Sequence, residues 1–174
     1  MLIGTPGQLK KIENIQLSVN CKYFERVKSF KYLGVIVNEN MTWSEHIENI
    51  RSKVTQRLGI LKRIKHLLPM DIRIIYVNTM VLPTMEYACL VWGDKNNKVL
   101  MDSLQTLQIK AARLVLDVPP YSSGSEALKI LHWQTLHTRR SIQRCIWIIT
   151  AFLYVLGLII QPGKSYSTVS WNSM

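Results

Sequence analysis

Between Arg51 and Arg73 stand seven cations, Arg51, Lys53, Arg57, Lys62, Arg63, Lys65 and Arg73, against a single acid, Asp71. Side chains of this kind in a row contact phosphate oxygens, a chemistry that reads charge and not base sequence. Seven cations less one acid make this stretch +6 of a formal net charge of +11. So basic a chain expects a polyanionic partner, either nucleic acid or an anionic membrane surface. Arg51, Lys53, Arg57, Lys62, Arg63 and Lys65 are the candidate phosphate contacts. The competing reading is a solvated helix face, which also sets Lys and Arg opposite an apolar stripe; the scarcity of balancing acids favours the first.

Other chemistries lack their residues. A two-metal polymerase or nuclease needs clustered carboxylates, and the eleven acidic residues never stand next to one another. His132 and His137 are five apart and fall on different helix faces, and neither His46 nor His66 has a cysteine at zinc-finger spacing. The GTPG run at residues 4–7 lacks the Gly-Lys-Ser/Thr of a phosphate loop, and no Gly-x-Ser-x-Gly elbow occurs. No cofactor and no metal site are expected. Cys21, Cys89 and Cys145 are odd in number and widely spaced, which argues for thiols rather than a disulfide framework. The opening residues show no charged segment followed by an apolar one, so no secretory leader is expected.

The elements that must carry the cations follow from periodicity. At 174 residues and 48% hydrophobic, the chain has enough apolar material for a core. Residues 1–14 mix Gly, Pro and Lys and read as loop; Ile15, Leu17 and Val19 alternate with polar residues, and Asn20-Cys21 turn that strand into a hairpin. Lys28 to Val37 reads as one strand closed by a turn at Asn38–Asn40. From Ser44, the expected cap, the period becomes helical, with Ile47, Ile50, Val54, Leu58, Leu61, Ile64 and Leu68 on one stripe and Pro69 as terminator. A second helix starts at Asp71, is interrupted near Pro83 and ends before Gly93. A third runs from about Lys95 to Leu116 with Val99, Leu104, Leu107, Ala111 and Val115 inward. The DVPPYSSGS loop follows, then a helix opened by Ser125 and Glu126, continuing helically past Arg139, Arg140 and Arg144 into CIWIITAFLYVLGLII. The fold class expected is α+β, mainly α: a small N-terminal β-hairpin unit (1–43), a helical bundle (44–144), and an apolar helix with a tail (145–174).

Five segments, VKSFKYLGVIVNENMTWSEHI, LGILKRIKHLLP, VLPTMEYACLVWG, LQTLQIKAARLVL and LHWQTLHTRR, stand in this order between about Ile15 and Arg144. In that order they resemble the region after the polymerase palm in non-LTR, LINE-type retrotransposon reverse transcriptases. The resemblance implies that Tyr32, Leu33 and Gly34 belong to a hairpin beside the primer end, and that the following helices are a thumb clasping RNA or an RNA/DNA duplex by its backbone. It also implies that the fingers and the magnesium-holding palm would precede Met1, so this portion by itself is expected not to polymerise. Cys21 stands where a hairpin glycine is common in that family, and Tyr23-Phe24 add aromatic bulk beside it.

The sixteen residues Cys145 to Ile160 carry no charge, which departs from that family. As a helix they would rise ~24 Å, short of a hydrocarbon core of ~30 Å, with Arg139, Arg140 and Arg144 on the side expected to stay cytoplasmic. Two readings stay open. One is a reverse transcriptase fragment, nuclear or cytoplasmic, whose uncovered helices invite self-association; the other is a small single-pass protein anchored through residues 145–160.

Overall fold

A computed structural model describes residues 1–11, 17–19, 22–93 and 97–156. The chain divides at Arg140/Ser141 into two units, and the larger, Met1–Arg140, holds the core.

The N-terminal quarter is β-rich but opens with a helix. Where loop was expected, α1 runs Pro6–Lys11. Its start signal is local: Thr5 precedes Pro6 at the first helical position, and the Gln8 side chain reaches back to accept the Thr5 N–H at 3.0 Å, half of a capping box. Leu9 is buried beneath it. Strands β1 (Leu17–Val19) and β2 (Lys22–Phe24) form the first antiparallel hairpin; Ile15, Asn20 and Cys21 lie outside the described residues.

The expected strand over Lys28–Val37 is two strands. β3 (Ser29–Tyr32) folds back on β4 (Val35–Asn38), with Tyr32 opposite Val35, leaving Leu33-Gly34 as a two-residue turn. Both turn residues have positive φ, 45° and 83°, the signature of the type I′ turn that matches the natural strand twist. Glycine takes this conformation without penalty; leucine does not, and its side chain is exposed. Replacing Leu33 with Asn should therefore raise stability by ~0.5–1 kcal/mol, read as a shift in the urea midpoint at unchanged m-value. No gain would mean that Leu33 makes up its strain elsewhere.

Helix α2 runs Ser44–Ile64 and tightens into a 3-10 turn at Lys65–Leu67; Leu68 is extended, as a residue before proline prefers. Ser44 does not cap it: the cap position is Trp43, in the left-handed region and without a side-chain bond, while Asn38 and Thr42 brace the approach through hydrogen bonds of 2.6 and 2.9 Å. The stripe packs inward as its spacing predicts, with Ile47, Ile50, Val54, Leu58 and Leu61 buried. After α3 (Met70–Tyr76) the helix widens to a π-turn over Val77–Val81 and continues as α4 (Leu82–Glu86). Pro83 explains the widening. It has no N–H for the α-register, and the chain adopts a Leu82 N–H to Val77 carbonyl bond instead. The short α5 (Cys89–Trp92) leads to α6 (Lys98–Leu116), whose Leu104, Leu107, Ala111 and Val115 are buried; Val99, expected inward, is exposed. Ser123, rather than Ser125, caps α7 (Gly124–Ile130), its hydroxyl accepting the Glu126 N–H at 3.4 Å.

The last helix, α8 (Leu136–Val155), begins in the larger unit and ends in the smaller. Arg139 and Arg140 belong to the larger unit, where Arg139 pairs with Glu86 and Arg140 is buried over the Trp92 ring at 5.1 Å. These two arginines hold helices together. Among the described residues no helix is long and apolar enough to cross a membrane.

Candidate nucleic-acid interface

The β3–β4 turn, α2 and the π-turn with α4 enclose a groove of ≈ 420 Å³. Its cations are Lys31 from β3 and Lys53 and Arg57 from α2, one turn apart on the helix flank; among the described residues no carboxylate lines it. Neutral polar groups complete the wall, among them Asn49, Thr84 and Tyr87.

Two side chains hold the hairpin against the helices. Tyr87 Oη donates to the Leu33 carbonyl at 2.8 Å, and the turn lies so close that a Cβ on Gly34 would come within 3.3 Å of the tyrosine ring. Glycine is thus required at 34 twice, for its φ and for this approach. His46, buried on α2, accepts the Ile36 N–H on Nδ1 at 3.2 Å and presents its ring edge to Trp92, 5.4 Å between centroids. Burial first, then the charge of Lys53, hold the His46 pKa below its ordinary value of 6.5. The neutral imidazole is also what the Ile36 bond needs, since a protonated ring has no lone pair to accept it.

A histidine whose folded pKa lies below its unfolded one binds fewer protons when native, so its contribution is whole above about pH 6.5 and is lost as pH falls below that. Unfolding free energy by urea titration should drop between about pH 7.5 and 5, and His46→Asn, whose side-chain oxygen can accept the same N–H, should lose less over that range. Equal losses in both proteins would sink the assignment.

The six candidate cations do not line one groove. Lys53 and Arg57 share the groove just described, whereas Lys62 and Lys65 line a second groove, with Lys110 and Arg113 of α6; Arg51 and Arg63 line neither. Three are already engaged. Arg51 pairs with Glu48 at 2.6 Å, Lys65 pairs with Asp117, and Arg57 donates to the Met80 carbonyl and the Thr84 hydroxyl. The Met80 carbonyl belongs to the π-turn that Pro83 imposes, so the proline places the acceptor that steers Arg57. Hydrogen bonding and the charge of Lys65 lower the Asp117 pKa. Lys53, Lys62 and Arg63 show no hydrogen bond or ion pair among the described residues. Of the hairpin residues, Gly34 lines the first groove, and Tyr32 and Leu33 are exposed.

Lys31 and Tyr87 also line this groove, and neither belongs to the basic run of α2. Lys31 sits on a strand far from that run in sequence, and only the hairpin fold brings it opposite Lys53.

The chain is similar to the "Probable RNA-directed DNA polymerase from transposon X-element" of Drosophila melanogaster, 29% identical over 92 residues. The matched stretch takes in 49% of this chain and 10% of that polymerase. This likeness supports a relationship to retrotransposon reverse transcriptases. The chain therefore corresponds to about a tenth of the length of the curated relative it matches. No family model matches it, and no solved structure does.

Proposed function

We propose that this chain is a fragment of a retrotransposon-type reverse transcriptase whose helical part acts as a thumb, binding the backbone of RNA or an RNA/DNA duplex, and which alone does not extend a primer. One observation carries the reading: Lys31, Lys53 and Arg57 converge in a carboxylate-free groove beside the Tyr32-Leu33-Gly34 turn. Cations from a strand and a helix facing one groove suit two neighbouring phosphates better than a small neutral ligand. Relationship to a transposon polymerase supports it independently. Within the basic run the proposal assigns phosphate contact first to Lys53 and Arg57, because Arg51 and Lys65 have carboxylate partners of their own.

The test is a salt series. Three phosphate contacts on a duplex give a slope of log K against log salt near about −2.7, and Lys31→Gln with Lys53→Gln should flatten it by roughly 1.8. Lys10→Gln with Lys11→Gln removes the same charge from α1 and should leave the slope unchanged. Fluorescence anisotropy on an RNA/DNA hybrid separates the two outcomes. Equal flattening by both pairs would leave only a basic protein that attracts polyanions everywhere.

A further inference from the structure

The second groove, ≈ 310 Å³ between α2 and α6, is built differently from the first. Its floor is aliphatic, with Leu58 and Leu107 buried and Leu114 and Val118 half-buried. Space for it arises on α2, where Gly59 has no side chain and a Cβ placed there would meet nothing within 4 Å. Around this floor stand four cations, Lys62, Lys65, Lys110 and Arg113, and among the described residues no carboxylate lines the groove. Two of the four are held by their surroundings: Lys65 by Asp117, and Arg113 by two bonds to the Ser122 carbonyl, at 3.1 and 2.6 Å. Lys62 and Lys110, both exposed, show no partner among the described residues.

We propose that this groove docks an acidic protein segment, which inserts one aliphatic side chain onto Leu58 and Leu107 and sets carboxylates against Lys62 and Lys110. Charge complementarity selects the sign of the partner: a rim of four cations against the single acid Asp117, which is taken up by Lys65, favours an anionic occupant and repels a basic one. A second copy of this chain, at +11, is thereby disfavoured. The floor selects the class. A nucleic-acid base needs an aromatic platform to stack on or polar groups to meet its edges, and among the described residues this groove offers no aromatic ring and, apart from Thr55, no neutral hydrogen-bonding side chain. Leucine, isoleucine or valine from a protein fits an aliphatic floor without leaving a polar group unpaired. The Lys65–Asp117 pair is an internal example of a carboxylate taking a place on the same rim.

The probe is a fluorescein-labelled helical peptide of Asp, Glu and Ala with leucines at i and i+4, compared with the same peptide carrying serines there and with single-stranded RNA of equal charge. The leucine peptide should bind the full chain about tenfold or more tightly than the serine peptide, reflecting burial of the anchor. Gly59→Leu grows a side chain into the groove while improving helix propensity, so it should fold as the parent does by circular dichroism and lose that affinity. Lys62→Glu with Lys110→Glu should lose it too. Gly59→Leu should leave affinity for an RNA/DNA hybrid within about twofold, which separates this result from failure of the thumb reading, tested at Lys31 and Lys53. Equal binding of the two peptides, or no effect of Gly59→Leu on the leucine peptide, would overturn the proposal. So would a Gly59→Leu loss seen with RNA instead, or conversion of a dimer to a monomer by light scattering, each naming a different occupant.

Discussion

Trp92→Ala is expected to destabilise the larger unit by ~3–5 kcal/mol, enough to unfold a marginal domain. Trp92 is wholly buried. The His46 edge packs against it from α2, the Arg140 guanidinium lies over it from α8, and its Nε1–H donates to the Tyr87 carbonyl at 2.8 Å. Truncation removes the largest fully buried side chain, leaves a cavity and orphans that carbonyl. The loss reaches the groove as well, because Tyr87 is the residue on which the β3–β4 turn rests. Trp92→Phe, which keeps a ring for His46 and Arg140 but not the donor, should cost roughly 1–3 kcal/mol. Urea unfolding of the three proteins measures both numbers, and an alanine variant within about 1 kcal/mol of the parent would refute this account of the core.

The second large effect is expected at Gln108. Fully buried on α6, it donates from Nε2 to the Gln134 carbonyl at 2.8 Å and accepts from Gln105 Nε2 at 2.8 Å. Gln105 in turn accepts the Leu136 N–H on Oε1 at 2.9 Å. The two amides form a relay that ties α6 to the start of α8. Gln108→Leu fills the same volume with apolar atoms yet leaves the Gln134 carbonyl and the Gln105 amide without their partners, at ~1–3 kcal/mol each. A total loss of about 2–6 kcal/mol is expected by urea titration, and an unchanged midpoint would show that Gln134 and Gln105 find water instead.

Trp92 reads as core from its apolar surroundings, but Gln108 does not announce itself in the chain. Gln108 lies on an amphipathic helix where a glutamine ordinarily marks the solvent face, and its burial depends on the residues 134–136 segment crossing α6. Arg140 reads as a flank of an apolar helix; in the fold it is buried over Trp92. Long-range partners decide such cases, because desolvating a charge or an amide is tolerated only where another element supplies the bond.

What the chain settles by itself is what periodicity and local chemistry reach. The α2 stripe from Ile47 to Leu61, the stop before Pro69, the inward positions of α6 and the break at the DVPPYSSGS loop are all legible, because burial on one face imposes a period of 3.6 whatever the partner is. The Thr5-Pro6-Gly7-Gln8 start of α1 was equally local, and was hidden only by the Gly and Pro within it. The basic row was visible too, but a row in sequence is not a site. Packing divided it: α4 and the hairpin took Lys53 and Arg57, α6 took Lys62 and Lys65, and Glu48 paired with Arg51. Helical order sets which direction each cation points and gives Arg51 its partner Glu48 on the same helix, whereas the groups that Arg57 and Lys65 meet lie 23, 27 and 52 positions away. Those distances are closed by the tertiary fold alone.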